Sequence, residues 1–162
     1  MKAILKINDK EIEVEVSEEQ IEKLTKKKKS PFAKSAIGGT YYAMDFDGSI
    51  DTCTDYNTDC DSDAYKVANY CTDYDLIQQQ AWRETLNRLL WRWQYEHDEP
   101  CDWENFEAKH GIYFNTGTNE FEVLFANSCK VQTIYFTTKA KAYWAIEEVV
   151  KPFMKEHPDF VW

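Results

Sequence analysis

The stretch YYAMDFDGSID, residues 41–51, places the pair Asp47-Gly48 between two short apolar runs. Asp-Gly is a preferred central pair of the two-residue type I′ turn, which connects antiparallel strands. We therefore predict a β-hairpin whose strands cover residues 39–44 and 49–54. The segment after Gly48 is then the return strand of a hairpin, so this part of the chain is not a parallel βαβ unit.

An alternative interpretation treats the same residues as catalytic. The run Asp45-Phe46-Asp47-Gly48-Ser49 resembles the opening motif of the haloacid dehalogenase superfamily of phosphatases, where a strand ends in Asp-x-Asp-Gly-Thr. The resemblance implies Asp45 as nucleophile, Asp47 as general acid/base and Mg²⁺ as the counter-charge to phosphate. It also implies a later Ser or Thr, which Thr137 could supply, a lysine, and a late acidic pair. No acidic pair follows Thr137 on a strand and no parallel βαβ unit is predicted, so we place a Mg²⁺-dependent phosphatase third.

Residues 2–16 alternate between apolar and polar side chains. This pattern predicts a first hairpin, with its turn at Asn8-Asp9. Ser17-Glu18-Glu19-Gln20 is a capping box, which predicts a short helix through about Thr25. The N-terminal segment is therefore expected to form a small ββα module.

Four lysines, Lys26–Lys29, follow this predicted helix. We interpret them as a solvated helix end that complements the helix dipole, with a phosphate contact as the alternative. Ser30-Pro31 then breaks the helix. The predicted domain organisation is an N-terminal ββα module at residues 1–30 and a second domain at residues 31–162.

The second domain alternates short strands with two long helical patterns. The longer helix, capped by residues 72–75, carries Ile77, Leu86 and Trp93 on one apolar face. Trp91 lies off that face, which indicates a helix buried on more than one side or an exposed aromatic residue. The fold class is therefore α+β, with antiparallel hairpins packed on two main helices. The other predicted elements are a polar loop at 55–64, a short strand at 65–70, a hairpin turning at 116–119, a strand at 131–136 and a last helix. Thr137-Thr138 caps this last helix, and Pro152 kinks or ends it. The residues expected to face inward from it are Tyr143, Ile146, Val149, Val150 and Phe153.

One short pattern occurs twice in this domain. Gly39-x-Tyr41-Tyr42 precedes a hairpin, and Tyr70-Cys71-Thr72 then opens a helix. Gly111-x-Tyr113-Phe114 and Tyr135-Phe136-Thr137 repeat the same order. We interpret the domain as two β-β-β-α units related by duplication. Coincidence between two aromatic-rich α+β segments is the alternative.

The combined pattern of a tyrosine-rich strand, an Asp-Gly turn and two aromatic-rich helix starts covers residues 39–155. It resembles small, mostly uncharacterised proteins of bacteriophages and mobile elements of Gram-positive bacteria. The resemblance implies an accessory role in a phage or mobile element and brings no catalytic residues with it. The residues that carry it are Tyr41, Tyr42, Gly48, Asn69, Tyr70, Thr72, Tyr135, Phe136 and Thr137.

Composition excludes several classes of protein. Five glycines and four prolines among 162 residues argue against a loop-rich scaffold or a Gly-rich phosphate cradle. The five cysteines form no Cys-x-x-Cys, and no histidine lies at ligand spacing from a cysteine pair, so we expect free thiols, no zinc and no cofactor. No apolar run approaches the roughly 20 residues of a membrane span and no signal peptide is predicted, so the expected location is the host cytoplasm.

Aspartate dominates residues 45–75, which hold nine aspartates, no glutamate and one basic residue, Lys66. Turn and helix-cap chemistry is one explanation of this bias. The other is a surface array that imitates a row of phosphates and occupies a basic groove on another protein. The residues expected to contact such a partner are Asp51, Asp55, Tyr56, Asp59, Asp61, Asp63 and Tyr65, with the tyrosines as aromatic anchors.

Asp59-x-Asp61-x-Asp63 also has the rhythm of an EF-hand calcium loop. The sixth position of that loop should be glycine and is Ala64, and the twelfth should be glutamate and is Tyr70. The EF-hand assignment therefore fails at both positions, and a weak surface cation site is the interpretation left open.

The function that these patterns predict is non-catalytic binding. With a net charge of −10, the chain repels nucleic acid and favours a basic host protein, such as a nucleic-acid-binding nuclease complex. An anti-CRISPR or other anti-defence inhibitor is the specific form. A structural or assembly component of the element, acting through self-association of aromatic surface, is the alternative. Trp162 at the terminus either contacts a partner or belongs to a tail folded onto the core.

Overall fold

A computed structural model describes residues 2–7, 10–15, 17, 30–105, 107–127 and 133–162. In chain order its elements are β1 (Lys2–Ile7), β2 (Lys10–Glu15), β3 (Thr40–Met44), β4 (Ile50–Thr54), α1 (Asp59–Lys66), α2 (Tyr74–His97), β5 (Lys109–Asn115), β6 (Glu120–Ala126), β7 (Tyr135–Phe136), α3 (Lys139–Ala145), the π-helical turn π1 (Ile146–Val150) and α4 (Lys151–Glu156). The α+β class predicted from the sequence is therefore confirmed.

Every strand pairing in the described residues is antiparallel. β1 pairs with β2 from Lys2↔Glu15 to Ile7↔Lys10, so the N-terminal hairpin forms as predicted. β3 pairs with β4, and β5 lies between β6 and β7 in a three-stranded sheet. The parallel units on which haloacid dehalogenase chemistry is built do not occur among these strands. The turn predicted at residues 8–9 and the helix and lysine run predicted for residues 18–29 lie outside the described residues.

The turn between β3 and β4 differs from the predicted type I′ turn. The backbone N–H of Gly48 donates to the carbonyl of Asp45 at 3.0 Å. Gly48 has a φ of 89°, whereas Asp47 is not among the residues with positive φ. The loop is therefore a type I turn followed by a glycine bulge. Arg88 of α2 stabilises this longer loop, because its guanidinium donates to the carbonyl of Phe46 at 2.9 Å.

The segment predicted as a polar loop and a short strand forms helix α1 instead. Thr58 is the N-cap, and its hydroxyl accepts from the backbone N–H of Asp61. The carboxylate of Asp61 accepts in return from the backbone N–H of Thr58 at 2.8 Å, which completes a capping box. Aspartate here takes the position in which glutamate or glutamine is the usual signature, so the sequence pattern did not indicate a helix start.

This helix removes the third strand of the first predicted β-β-β-α unit. In its place, Tyr42 and Cys71 form a single antiparallel bridge. The second unit has all three strands, because β7 pairs with His110 and Gly111 of β5. The strand predicted at 131–136 is reduced to β7, and residues 131–132 lie outside the described part of the chain.

The main core lies between α2, the three-stranded sheet and the C-terminal helices. Leu86, Leu90 and Trp93 of α2 are buried, whereas Trp91 is exposed. Tyr143, predicted to face inward, is 40% exposed, because α3 packs through its small alanines instead. The buried residues of this main core are Leu86, Leu90, Trp93, Ile112, Phe136, Ala142, Ala145, Ile146, Val150, Phe153 and Phe160.

Pro152 does not end the last helix. It is the second residue of α4, which continues from π1 without a break, because Val150 and Lys151 both have helical backbone angles. The ring of a proline crowds the carbonyl four residues earlier, and the wider π-helical turn relieves this contact. The helix therefore continues and buries Phe153 in the core.

The C-terminal tail folds onto the core, which was one of the two roles predicted for Trp162. The ring of Trp162 packs edge-to-face on Phe121 with 5.0 Å between centroids. Gln79 of α2 holds the preceding backbone, because its side chain accepts from the N–H of Val161 at 2.8 Å and donates to the carbonyl of Asp159 at 2.7 Å.

Candidate binding surfaces

Asp55, predicted to contact a partner, is buried with an exposed fraction of 2%. Its carboxylate accepts a hydrogen bond from the hydroxyl of Tyr70 at 2.7 Å and one from the backbone N–H of Asn57 at 2.7 Å. Tyr70 is buried as well, and burial raises the pKa of its phenol. The prediction for Asp55 is therefore wrong, because an enclosed and fully paired carboxylate does not reach the surface of another protein.

Asp61 is also buried, with an exposed fraction of 5%. Its carboxylate accepts from the hydroxyls of Thr58 and Tyr41 at 2.7 and 2.8 Å, and from the backbone N–H of Tyr56 at 3.2 Å. These hydrogen bonds, chiefly that from the Thr58 side chain, lower the pKa of Asp61 to about 2. The prediction that Asp61 contacts a partner is wrong for the same reason as for Asp55.

The other five predicted partner residues are exposed. They lie on β4, on the loop before α1 and on α1 itself. We refer to these five residues, which are named at the end of this paragraph, as the acidic surface. Tyr56 and Tyr65 expose 68% and 43% of their area, respectively. The members of the acidic surface are Asp51, Tyr56, Asp59, Asp63 and Tyr65.

Tyr56 presents its ring to solvent from a firmly held backbone. The N–H of Tyr56 donates to Asp61, and the N–H of Asn57 donates to Asp55. Asn57 adopts a left-handed φ of 58°, and its side-chain oxygen accepts from Lys34 at 3.2 Å. The two buried aspartates thus position the loop that carries the exposed aromatic ring.

The remaining polar contacts of the acidic surface are weak. Asp63 pairs with Lys66 at 2.8 Å, but both side chains are 71% exposed, so solvent screens the pair. Tyr65 lies edge-on to Tyr70 at 5.7 Å, and the ammonium of Lys34 lies 5.7 Å above its ring. These side chains can exchange such contacts for those of a partner at little cost.

The three aspartates with EF-hand rhythm do not converge. They lie on α1, where Asp61 points into the fold and Asp59 and Asp63 are exposed. Residues two apart point to different sides of a helix, whereas a calcium loop brings its ligands around one ion. No group of three or more His, Cys, Asp or Glu in the described residues could hold a metal ion.

The two aspartates of the phosphatase interpretation serve the β3–β4 turn. Asp45 accepts from the backbone N–H of Phe46 at 2.7 Å, and Asp47 accepts from that of Ser49 at 2.9 Å. The contacts with Ser49, its side chain first, lower the pKa of Asp47. Thr137 is engaged elsewhere, because its hydroxyl donates to the buried Asp98 at 2.5 Å. Turn and cap chemistry therefore accounts for all three residues.

The cysteines of the described residues are free thiols, as expected. Cys71 is buried and Cys101 half-buried, and burial raises the pKa of both thiols. A raised thiol pKa lowers the fraction of reactive thiolate at neutral pH. These two cysteines are therefore packing residues, while Cys60 is exposed and Cys129 lies outside the described residues.

A groove that the sequence did not indicate runs between α2 and the C-terminal helix, with a volume of about 520 Å³. Trp93 lies at its base and donates through its indole N–H to Glu148 at 2.9 Å. We refer to it as the α2–α4 groove. Its lining residues are Leu89, Arg92, Trp93, Glu96, Glu148, Val149, Pro152, Phe153 and Glu156. The one sequence feature that could have indicated this groove is Pro152, because a proline inside a helix favours a local distortion such as the π-helical turn π1.

The outer side of α2 carries the exposed aromatic residue that the helical pattern allowed. Trp91 and Tyr95 are 56% and 62% exposed, and their rings meet edge-on at 5.7 Å. Arg88 and Arg92 flank them, and the four side chains line a hollow of about 400 Å³. We refer to these four residues as the aromatic face of α2.

Comparison of the chain with protein-family models, with curated proteins and with solved structures finds no match. In the described part of the chain, no helix combines the length and the apolar character that crossing a membrane requires.

Proposed function

We propose that the protein is a non-catalytic binding protein that docks its acidic surface onto a basic partner protein. The observation that carries this proposal is the position of Tyr56, an exposed aromatic ring on a loop fixed by Asp55 and Asp61. A ring held in place before binding loses little conformational entropy when it is buried, which favours its use as an anchor. Asp59 and Asp63 supply exposed negative charge on α1, which begins three residues after Tyr56.

The net charge supports a basic partner. At −10, the summed field of the chain accelerates encounters with positive surfaces and opposes direct contact with nucleic acid. A surface that offers both exposed carboxylates and exposed aromatic rings fits a groove that itself binds phosphates. The partner we propose is therefore a basic nucleic-acid-binding protein, such as a nuclease complex.

The resemblance to accessory proteins of phages and mobile elements supports a host factor as that partner. An inhibitor of host defence, specifically an anti-CRISPR protein, would account both for the acidic surface and for the resemblance to phage and mobile-element proteins. The protein would act in the host cytoplasm and would need neither catalysis nor a cofactor. Blocking a groove that normally holds nucleic acid is sufficient for inhibition.

A pull-down from host lysate at low and at high salt, with the captured protein identified, tests this proposal. We expect capture of a basic protein at low salt and its loss at high salt. The triple variant Asp51→Asn, Asp59→Asn, Asp63→Asn should lose capture while keeping its circular dichroism spectrum. Asp55 and Asp61 are left intact, because their substitution would disturb the fold.

The matched control changes the same number of exposed charges elsewhere, at Asp75, Asp102 and Asp159. This control should retain capture. Equal loss in both triple variants would mean that net charge alone drives binding, and unchanged capture by the Asp51, Asp59 and Asp63 variant would remove the acidic surface from consideration. Tyr56→Ala, tested separately, should weaken capture without altering its salt dependence.

A second candidate function is that of an assembly component acting through self-association. The aromatic face of α2 favours it, because exposed Trp, Tyr and Arg are the residue types that dominate interface energetics. Sedimentation analysis over a range of protein concentrations tests it. The double variant Trp91→Ala, Tyr95→Ala should remove a concentration-dependent oligomer, and Phe125→Ala, which removes a 74% exposed ring on β6, should not.

A further inference from the structure

We propose that the α2–α4 groove binds a short basic amphipathic segment of a partner protein, with the apolar face of that segment inward and its lysines or arginines at the rim. This assigns a second binding site, separate from the acidic surface, and it does not depend on the acidic surface being used. The groove lies along two helices, which is the setting in which proteins bind amphipathic helices.

The floor of the groove is apolar. Leu89 and Val149 are half-buried and pack against the core, so each presents part of its side chain to the groove. Phe153 and Trp93 lie beneath them with exposed fractions of 5% each. Pro152 adds exposed apolar surface at the side. Covering this floor with apolar side chains would remove hydrophobic surface from water.

The charges along the groove are mainly negative. Glu96, Glu148 and Glu156 line it, and Arg92 is its one basic lining residue. Hydrogen bonding, first from Trp93, lowers the pKa of Glu148, so this carboxylate is ionised at neutral pH. Three carboxylates against one guanidinium favour a basic occupant over an acidic one.

The π-helical turn contributes directly to this arrangement. Glu148 and Val149 both belong to π1, and they place a carboxylate and an apolar side chain at the groove next to each other. Pro152 explains why the turn is wide at this point of the helix. Helical turns of this kind occur frequently at functional sites, and here the wide turn lies against the largest of the cavities described above.

The chemistry of the occupant follows from these two properties. An acidic helix or a nucleic acid would meet three carboxylates, and a second copy of this chain would bring another net charge of −10. A peptide of lysines alone would leave the apolar floor of the groove exposed to water. A segment with apolar residues at helical spacing and a basic opposite face satisfies both the floor and the rim.

The experiment uses the full chain and a fluorescein-labelled 14-residue peptide of leucines and lysines placed at helical spacing. Fluorescence anisotropy should show saturable binding. The variant Glu96→Gln, Glu156→Gln removes two exposed rim charges and should weaken binding by about tenfold. The matched control Glu104→Gln, Glu120→Gln removes two exposed charges elsewhere and should change binding less than twofold.

Two further arms test the apolar floor and the choice of surface. Val149→Arg places a cation in the groove and should abolish binding; if this variant unfolds by circular dichroism, the rim variant still decides the question. The triple variant of the acidic surface should bind the peptide normally, so this site and the proposed function can fail independently. The proposal is overturned if the rim variant and its control weaken binding equally, or if a leucine–glutamate peptide of the same spacing binds as well.

Discussion

The phenolic hydroxyl of Tyr41 donates a 2.8 Å hydrogen bond to the buried carboxylate of Asp61 and so joins β3 to α1. A second such pair lies beside it, because Tyr70 donates to Asp55 at 2.7 Å. The two tyrosine rings stack, with 4.0 Å between centroids and an interplanar angle of 12°. Two stacked tyrosine–aspartate pairs therefore form the polar centre of the first half of the domain and position the loop that carries the acidic surface.

Tyr41→Phe should lower the free energy of unfolding by about 2 kcal/mol, because it removes a hydrogen bond to an ionised group and leaves the ring in place. Chemical denaturation at pH 7 measures the change. Tyr42→Phe is the matched control, since the Tyr42 ring packs edge-on against Tyr74 at 5.3 Å and that contact does not use the hydroxyl. Equal effects of the two variants would contradict the assigned role of Tyr41.

Acid should destabilise the protein partly through Asp61. Its pKa in the folded state is about 2, below its ordinary value of 3.8, so the unfolded chain takes up the proton first as the pH falls. The contribution of Asp61 is therefore fully present above about pH 4 and is lost between about pH 4 and pH 2. Asp61→Asn should be less stable than the wild type at pH 7, and this difference should shrink as the pH falls through that window. Asp75→Asn, at an exposed position, should show no such convergence in denaturation curves recorded at each pH.

Gly48→Ala should destabilise the fold by roughly 1 to 3 kcal/mol. The φ of 89° at Gly48 disfavours a side chain, and an added Cβ would lie 2.8 Å from the hydroxyl of Thr85 on α2. Thermal denaturation measures the effect. In the double variant Gly48→Ala, Thr85→Ala the steric contact is removed and the unfavourable φ stays, so a partial recovery is expected. No recovery would assign the whole cost to the backbone.

Asp98→Ala should destabilise the fold by about 3 kcal/mol. The Asp98 side chain has no exposed area, and it accepts from Lys141 at 2.7 Å and from the backbone N–H of Thr137 at 2.7 Å. Its removal leaves that N–H without its acceptor at the start of the last helix. Glu99→Ala, a change at the exposed neighbouring residue, is the control in the same urea titration. A loss below 1 kcal/mol for Asp98→Ala would show that water replaces the carboxylate.

The secondary-structure elements whose sequence carries a clear turn, cap or apolar periodicity were predicted correctly. The alternation around Asp47-Gly48 gave the hairpin β3–β4, and the apolar spacing through Trp93 gave α2, which begins after Asp73 as its N-cap. The turn type was predicted wrongly, because Gly48 has a positive φ and Asp47 does not, and an Asp-Gly pair also fits a three-residue loop that ends in a left-handed glycine. Helix α1 was missed because the second residue of its capping box is aspartate, and aspartate is equally typical of turns and loops.

The aspartates of residues 51–63 show most clearly where prediction from sequence ends. By itself the sequence determined the antiparallel hairpins, the long helix and the excess of negative charge, since strand alternation, helix caps and net charge are local or additive properties. Only the tertiary structure decided that Asp55 and Asp61 are buried while Asp59 and Asp63 are exposed. A carboxylate is buried only where donors compensate its lost hydration. Here the neighbouring N–H and hydroxyl groups of residues 56–58 are joined by the hydroxyls of Tyr70 and Tyr41, which come from 15 and 20 residues away.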